Sequence, residues 1–221
     1  HQYRQANYDL LAGKIKFSPP GQEISPGIWA GEGTEIDQDS ILEPPIVLGR
    51  YVRIRKGVKI GKYSVLGDHC LVNDNSSIKR SILWNHTYLG FETELRGSIL
   101  AHHSHLKSWV SIYEGAVLGE GCMVGSKTII KPEIKVWPEK YIESGSVLNS
   151  SMIWGNRWET NLFGNQGIDR TANLEFTPEF AAKIGAAYGT VLPEKSRVIV
   201  STDNFYPARI LKTALICGFL G

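Results

Sequence analysis

The sequence predicts a mainly β protein, a parallel β-helix of hexapeptide repeats followed by the opening of an α/β domain. Two observations predict the β-helix. From Ile36 to Leu148 an aliphatic residue returns every six positions, apart from two steps of five, and the residue four positions after it is usually small or β-branched. A third observation predicts the α/β segment, because the repeat stops after Trp154 and patterns typical of a helix, a strand and a second helix follow.

The repeat determines which side chains face the core. Side chains two positions apart lie on one face of a strand, so the aliphatic residue at position i and the residue at i+4 point inward. Residues at i+3 and i+5 then point outward, and the polar, Gly and Pro residues at i+2 predict a turn. A period of six excludes an α-helix, whose period is 3.6. The aliphatic positions are Ile36, Leu42, Leu48, Ile54, Ile60, Leu66, Val72, Ile78, Leu83, Leu89, Leu95, Leu100, Leu106, Ile112, Leu118, Val124, Ile130, Val136, Ile142 and Leu148.

The pattern resembles that of left-handed β-helices, in which three hexads make one triangular coil. The left-handed sense is implied by that resemblance, because the hexads themselves do not determine it. About 18 residues per coil give roughly seven coils over residues 31 to 154. Two steps of five residues, from Ile78 to Leu83 and from Leu95 to Leu100, shorten two coils by one residue.

Three segments are predicted along the chain. Residues 1–30 are predicted to be a terminal helix, closed by Gly13, and a Pro- and Gly-rich linker from an upstream domain. Residues 31–155 hold the hexads. Residues 156–221 are predicted to open an α/β domain, with a helix capped by Thr177, a strand at 197–201 and a second helix.

Charge and cysteine usage limit the functions to consider. Lys and Arg together number 24 against 22 Asp and Glu, so we expect no nucleic-acid partner. Cys70, Cys122 and Cys217 have no metal-ligand spacing and indicate reduced thiols in the cytoplasm. No apolar stretch approaches 18 residues and the first residues are polar, so we expect neither a membrane span nor a signal peptide.

Outward residues on one side of the β-helix form the candidate site. His69, His86 and His103 occupy i+3 in every third hexad, and their 17-residue spacing stacks them about 4.8 Å apart. These histidines could form a general base or a metal ladder, but the aromatic and apolar surroundings favour an interaction face. The predicted interface comprises Tyr51, His69, Leu71, His86, Tyr88, His103, His105, Met123 and Tyr141. We assign no catalytic, cofactor-binding or metal-ligating residue.

Five stretches resemble one enzyme family, the mannose-1-phosphate guanylyltransferases among the sugar-nucleotide pyrophosphorylases. The resemblance is to the form that carries a phosphomannomutase-like domain, of the phosphohexomutase type, after its β-helix. The stretches are HQYRQANYDLLAGK, ILEPPIVLGRYVRIRKGVKIG, VWPEKYIESGSVLNSSMIWG, RTANLEFTPEFAAKIGAAYGTVLP and VIVSTDNFYPARILKTALICGFLG.

The resemblance implies that the chain is a non-catalytic part of a larger enzyme. The parent would convert mannose 1-phosphate and GTP to GDP-mannose and pyrophosphate with Mg²⁺, in an upstream nucleotidyltransferase domain. The β-helix would serve assembly as a homo-oligomer, spacing or regulation, and residues 156–221 would begin the mutase-like domain. Where the mutase loop has Asp-x-Arg, Asp203 is followed by Asn204 and Phe205. The nucleotide base and the sugar stay open.

Two alternatives remain beside this hypothesis. The first is a complete hexapeptide-repeat acyltransferase using coenzyme A, which would need a long projecting loop and a trimer with histidines at its seams. The hexads run without such an interruption. The second is a structural or regulatory binding module with no enzymatic parent.

Overall fold

A computed structural model of the protein describes residues 2–16, 18–155, 157–158, 162–163, 167–168, 171–173, 175–193 and 195–220. The chain forms two compact units, His1–Asn161 and Leu162–Gly221, and each is described by itself. Residue 156, where the third predicted segment begins, lies outside the described residues.

The first unit is a three-sided β-helix preceded by helix α1, Gln2–Leu11. Sheet A contains β1 (Gln22–Ser25), β2 (Ile28–Ala30), β5 (Ile46–Leu48), β8 (Ser64–Leu66), β11 (Ile82–Leu83), β14 (Ile99–Leu100), β17 (Val117–Leu118) and β20 (Lys135–Val136). Sheet B contains β3 (Glu35–Ile36), β6 (Arg53–Ile54), β9 (Leu71–Val72), β12 (Tyr88–Leu89), β15 (His105–Leu106), β18 (Met123–Val124), β21 (Tyr141–Ile142) and β23 (Arg157–Trp158). Sheet C contains β4 (Ile41–Leu42), β7 (Lys59–Ile60), β10 (Ser77–Lys79), β13 (Glu94–Arg96), β16 (Ser111–Ile112), β19 (Ile129–Ile130) and β22 (Val147–Leu148).

Successive coils pair in parallel along each sheet, and among the described strands only β1 and β2 pair antiparallel. Of the twenty aliphatic positions, eighteen are buried in one core, and Ile36 and Leu42 pack against it partly buried. Polar residues at i+4 are buried too, because their hydroxyls bond to nearby corner carbonyls: Thr87 Oγ1 donates to Trp84 O at 2.7 Å. The predicted mainly β fold of stacked hexads is confirmed.

The corners differ from the prediction in one respect. The strand of a regular hexad covers only i+5 and i+6, so both i+2 and i+3 belong to the turn. Residues at i+3 therefore do not point out of a strand. They adopt left-handed backbone conformations at the second turn position, with φ of 57° at His69 and 58° at His86. The reason is that a two-residue strand leaves four residues to turn each corner.

Helix α1 contacts the two shortened coils. The missing residue falls at the corners after Ile78 and Leu95, where Ser81 and Ser98 become buried. Tyr8 Oη donates a hydrogen bond to Arg80 O at 2.5 Å, and Arg4 donates to Gly97 O. The helix is therefore held at the corners where the chain is one residue short.

The second unit contains α2, Pro178–Gly189, and α3, Tyr206–Leu220. The predicted cap is confirmed, because Thr177 Oγ1 accepts a hydrogen bond from Phe180 N at 3.3 Å. The helices approach closely at Gly185, where an added Cβ would lie 2.3 Å from Leu215 O. The predicted strand at 197–201 is wrong, since these described residues form no strand and Ile199 is 95% exposed. A strand forms only where its backbone finds a neighbour to pair with.

Candidate interaction site

Four aromatic rings stack along the corner between sheets A and B. We call Tyr51, His69, His86 and His103 the histidine corner. Neighbouring ring centroids lie 5.1, 4.9 and 4.9 Å apart in that order, and the planes diverge by only 14°, 3° and 5°. All four side chains are exposed. The near-parallel rings show that the column is straight and that it presents a continuous edge to solvent.

The backbone fixes this column. Each of its residues is the second residue of a turn and donates its N–H to the carbonyl of the first turn residue of the preceding coil. His69 N donates to Arg50 O at 2.8 Å, and His86 N donates to Asp68 O at 2.9 Å. The rings therefore repeat with the coil, close to the usual spacing of paired strands of about 4.8 Å.

The outward residues of sheet B form a second column beside the first. We call Leu71, Tyr88, His105, Met123 and Tyr141 the sheet B face, and strand pairing places them in one register. The rings of Tyr88 and His105 stack at 4.3 Å. Burial lowers the pKa of His105, and Lys107 lowers it further. The nine residues predicted as an interface thus lie in two adjacent columns, and their role as an interface stays a prediction.

The chemistry of these columns suits stacking. Across the described part of the chain, no three His, Cys, Asp or Glu side chains converge as metal ligands would. The thiols of Cys70 and Cys122 point into the core and donate to Trp84 O and Trp137 O, at 3.2 and 3.1 Å. Burial raises the pKa of Cys70 to about 11 and also raises that of Cys122. These thiols are therefore held in their neutral form.

Two further columns escaped the sequence analysis. The first turn residues of the same corner, which we call the first-turn column, are Glu32, Arg50, Asp68, Asn85, His102, Glu120 and Pro138. The second of these columns consists of the outward residues of sheet A, which are apolar from β2 to β17. They are Trp29, Val47, Val65, Ile82, Ile99 and Val117. Ile82 is only 1% exposed although it lies outside the core cluster. The signal was present in the sequence, as an apolar residue at the outward position of every third hexad.

The described residues of the second unit form an apolar groove. The groove has a volume of about 680 Å³ and includes Val198 and Ile199 of the segment predicted as a strand. In the loop that departs from the mutase pattern, Asp203 Oδ1 accepts a hydrogen bond from Phe205 N at 3.0 Å, and the Phe205 ring is 64% exposed. No helix among the described residues is both long and apolar enough to cross a bilayer.

Family comparisons divide the chain at the same place as the fold. Residues 26–130 match the model of the EIF2B subunit epsilon LbH domain. Residues 160–221 match the model of phosphoglucomutase/phosphomannomutase, alpha/beta/alpha domain I. The fold and these matches define a left-handed, hexapeptide-repeat β-helix protein with a phosphohexomutase-like segment, which confirms the predicted fold class and the predicted resemblance at this level.

Individual relatives match parts of the chain. A phosphoglucomutase/phosphomannomutase of Thermococcus kodakarensis is 48% identical over 63 residues, which are 27% of this chain and 14% of that protein. A UTP–glucose-1-phosphate uridylyltransferase of Synechocystis is 34% identical over 83 residues, which are 37% of this chain and 21% of that protein. The chain thus spans a small part of the length of these relatives. The solved UDP-N-acetylglucosamine O-acyltransferase of Moraxella catarrhalis matches with a TM-score of 0.40 and 14% identity, covering 59% of this chain and 68% of that one.

Proposed function

We propose that this chain is the assembly and spacing segment of a sugar-nucleotide pyrophosphorylase, together with the start of a mutase-like domain. One observation carries the proposal. A hexapeptide-repeat domain at 26–130 is followed along the chain by a mutase-type segment at 160–221, and a relative of the chain is a uridylyltransferase. This combination supports a parent enzyme that acts on sugar phosphates.

The parent reaction proposed is the transfer of a nucleotidyl group, in the cytoplasm. A phosphate oxygen of mannose 1-phosphate would attack the α-phosphorus of GTP, forming GDP-mannose as pyrophosphate leaves. An upstream domain would carry this step and its Mg²⁺, an ion that prefers oxygen ligands. No three candidate ligands converge among the described residues, and we assign this ion no ligand in this chain. The proposed contribution of this chain is to hold protomers and domains in place.

The coenzyme A alternative finds no support in the connections of the β-helix. Residues 18–155 are described throughout, and between β2 and β22 each strand is joined to the next by one corner, with no projecting loop. The exposed histidines lie on a straight corner, and none of them lines either of the two pockets described in that range.

Enzyme assays test the proposal. The 221-residue protein is incubated with Mg²⁺ and with GTP plus mannose 1-phosphate, or UTP plus glucose 1-phosphate, and pyrophosphate release is followed. A parallel reaction with acetyl coenzyme A and amino sugars follows release of free thiol. We expect no turnover from this chain and pyrophosphate release from the complete gene product. Turnover by the isolated chain, or an inactive complete product, would overturn the proposal.

A further inference from the structure

In the first-turn column, a cation and an anion lie at equal distances from the middle residue. Asn85 is the middle residue, Arg50 lies two coils before it and Glu120 lies two coils after it. Asp68 and His102 lie one coil to either side. Arg50 also pairs with Asp68 at 2.8 Å, but its side chain stays 64% exposed. The Glu120 carboxylate is exposed and makes no hydrogen bond or ion pair with any described residue.

Two copies can meet along this corner in only two ways if their helix axes are aligned. The two-fold axis of a closed dimer relates one surface patch to itself. An axis parallel to the β-helix sets each residue against its own copy, which places Arg50 on Arg50, Asp68 on Asp68 and Glu120 on Glu120. An axis across the β-helix reverses the column and places Arg50 on Glu120 and Asp68 on His102. Arg50 meets the opposite charge of Glu120 only in the second arrangement, and like charges across an interface disfavour the first.

The two ends of the histidine corner also differ from each other. The corner begins with Tyr51, whose ring covers Gly33 and is 47% exposed, and it breaks off after His103 because the next position is Gly121. An added Cβ at Gly121 would make ordinary contact with Glu139, whose Cγ would lie 3.6 Å away. Reversal about His86 brings Tyr51 of one copy opposite Gly121 of the other. The projecting Tyr51 ring at one end therefore faces a residue without a side chain at the other.

We propose that two copies of this chain pair antiparallel along the histidine corner, about a two-fold axis beside Asn85 and His86. His69 of one copy then faces His103 of the other, and Tyr88 of the sheet B face meets its own counterpart. The inference rests on the assembly role proposed above and adds the partner, the direction and the register. The opposite charges of Arg50 and Glu120, at matching positions on either side of the axis, carry it.

Disulfide formation between introduced cysteines tests the direction. All variants carry Cys217→Ser, because Cys217 is the exposed native thiol while Cys70 and Cys122 are buried. His86→Cys lies at the axis and should form a covalent dimer on mild oxidation. His69→Cys alone should not, because the two sulfurs would be about 10 Å apart along the axis and a disulfide needs Cα atoms within about 7 Å. A mixture of His69→Cys and His103→Cys, one of them tagged, should form the mixed dimer.

Charge exchange gives an independent test. Arg50→Glu and Glu120→Arg should each weaken the dimer about tenfold or more, since each sets like charges opposite one another. An equimolar mixture of the two variants should recover dimers, because both facing pairs are then opposite in sign. Arg50→Glu also removes the contact between Arg50 and Asp68 within one chain. Recovery of dimers in the mixture would show that the loss of this internal contact is not what weakens the dimer. Sedimentation velocity measures the fractions of monomer and dimer for each variant and for the mixture.

The possible failures have different meanings. A native protein that stays monomeric contradicts the assembly role itself. A native dimer in which His69→Cys alone cross-links, and in which the charge variants pair as well as wild type, is parallel, so the inference is wrong while the assembly role stands. A dimer that never cross-links at His86 uses another face and overturns the inference as well.

Discussion

Gly67 lies at the first position of a corner, where the next coil approaches so closely that there is no room for a side chain. The substitution Gly67→Ala tests whether this close approach requires glycine. Gly67 has no left-handed backbone, so its φ does not require glycine. An added Cβ would lie 2.3 Å from Asn85 Oδ1, 2.8 Å from Asn85 N and 3.0 Å from Trp84 C. Two of these atoms belong to the backbone of the next coil, which cannot rotate away as a side chain can.

The cost follows from these distances. Gly67 N donates to Leu83 O at 2.8 Å, so the coils are already held together on one side of the clash. Forcing them apart resembles overpacking, at about 1–3 kcal/mol, and displacing Asn85 Oδ1 from Asp68 N removes a hydrogen bond worth about 1 kcal/mol. The sum is about 2–4 kcal/mol, which lowers Tm by about 4–16 °C in a protein of this size.

Thermal unfolding followed by circular dichroism measures the effect, at one scan rate for all variants. Gly145→Asn is the matched control, because Gly145 has φ of 76° and no heavy atom within 4 Å of an added Cβ. Asn tolerates this backbone conformation, so the control should stay within about 2 °C of wild type. If Gly67→Ala has the same Tm as the control, the close contact between coils does not explain why glycine occupies this position.

Three further predictions concern the core, the thiols and the response to pH. Leu95→Ala, at a fully buried position, should lower the free energy of unfolding in urea by about 2–5 kcal/mol. Ile129→Ala, at an outward position 37% exposed, should cost much less; equal losses would contradict the assigned faces. At pH 8 a thiol reagent should quickly modify one cysteine per folded chain, and that cysteine should be Cys217. Cys70 and Cys122 should stay unreactive until the protein unfolds, because they are buried and their pKa values are raised. Because the pKa of His105 is lowered in the folded protein, this histidine is protonated at a higher pH in the unfolded chain than in the folded one. The free energy of unfolding should therefore decrease as pH drops below about 6.5. In the His105→Gln variant this decrease should be smaller. A pH profile unchanged by this substitution would show that His105 does not contribute.

The candidate site was only partly predictable. Spacing placed His69, His86 and His103 in one column, because the repeat fixes which residues stack. The sequence analysis put them on a flat strand face, and the structure puts them at the second turn position of a corner. The first-turn column beside them was missed, since its members share no residue type and gain meaning only from their positions in space.

The segment after the β-helix shows a different limit. The cap at Thr177 and the helices were predicted from local signals, because a cap satisfies backbone donors within a few residues of itself. The strand at 197–201 was predicted from its apolar composition and is absent among the described residues. Composition gives a segment the capacity to form a strand, but hydrogen bonds to a second strand are needed to form one.

The sequence by itself determined the stacked hexads, their inward side chains and the two short coils, since a period of six with two steps of five can bury its aliphatic residues only by stacking. The tertiary structure alone decided where helix α1 binds, at Arg80 and Gly97, because the shortened corners offer carbonyls to its side chains. It also decided that Arg50, Asp68 and Glu120 share one edge with the stacked rings. Residues 17 or 18 apart become neighbours only when each coil closes on the one before it.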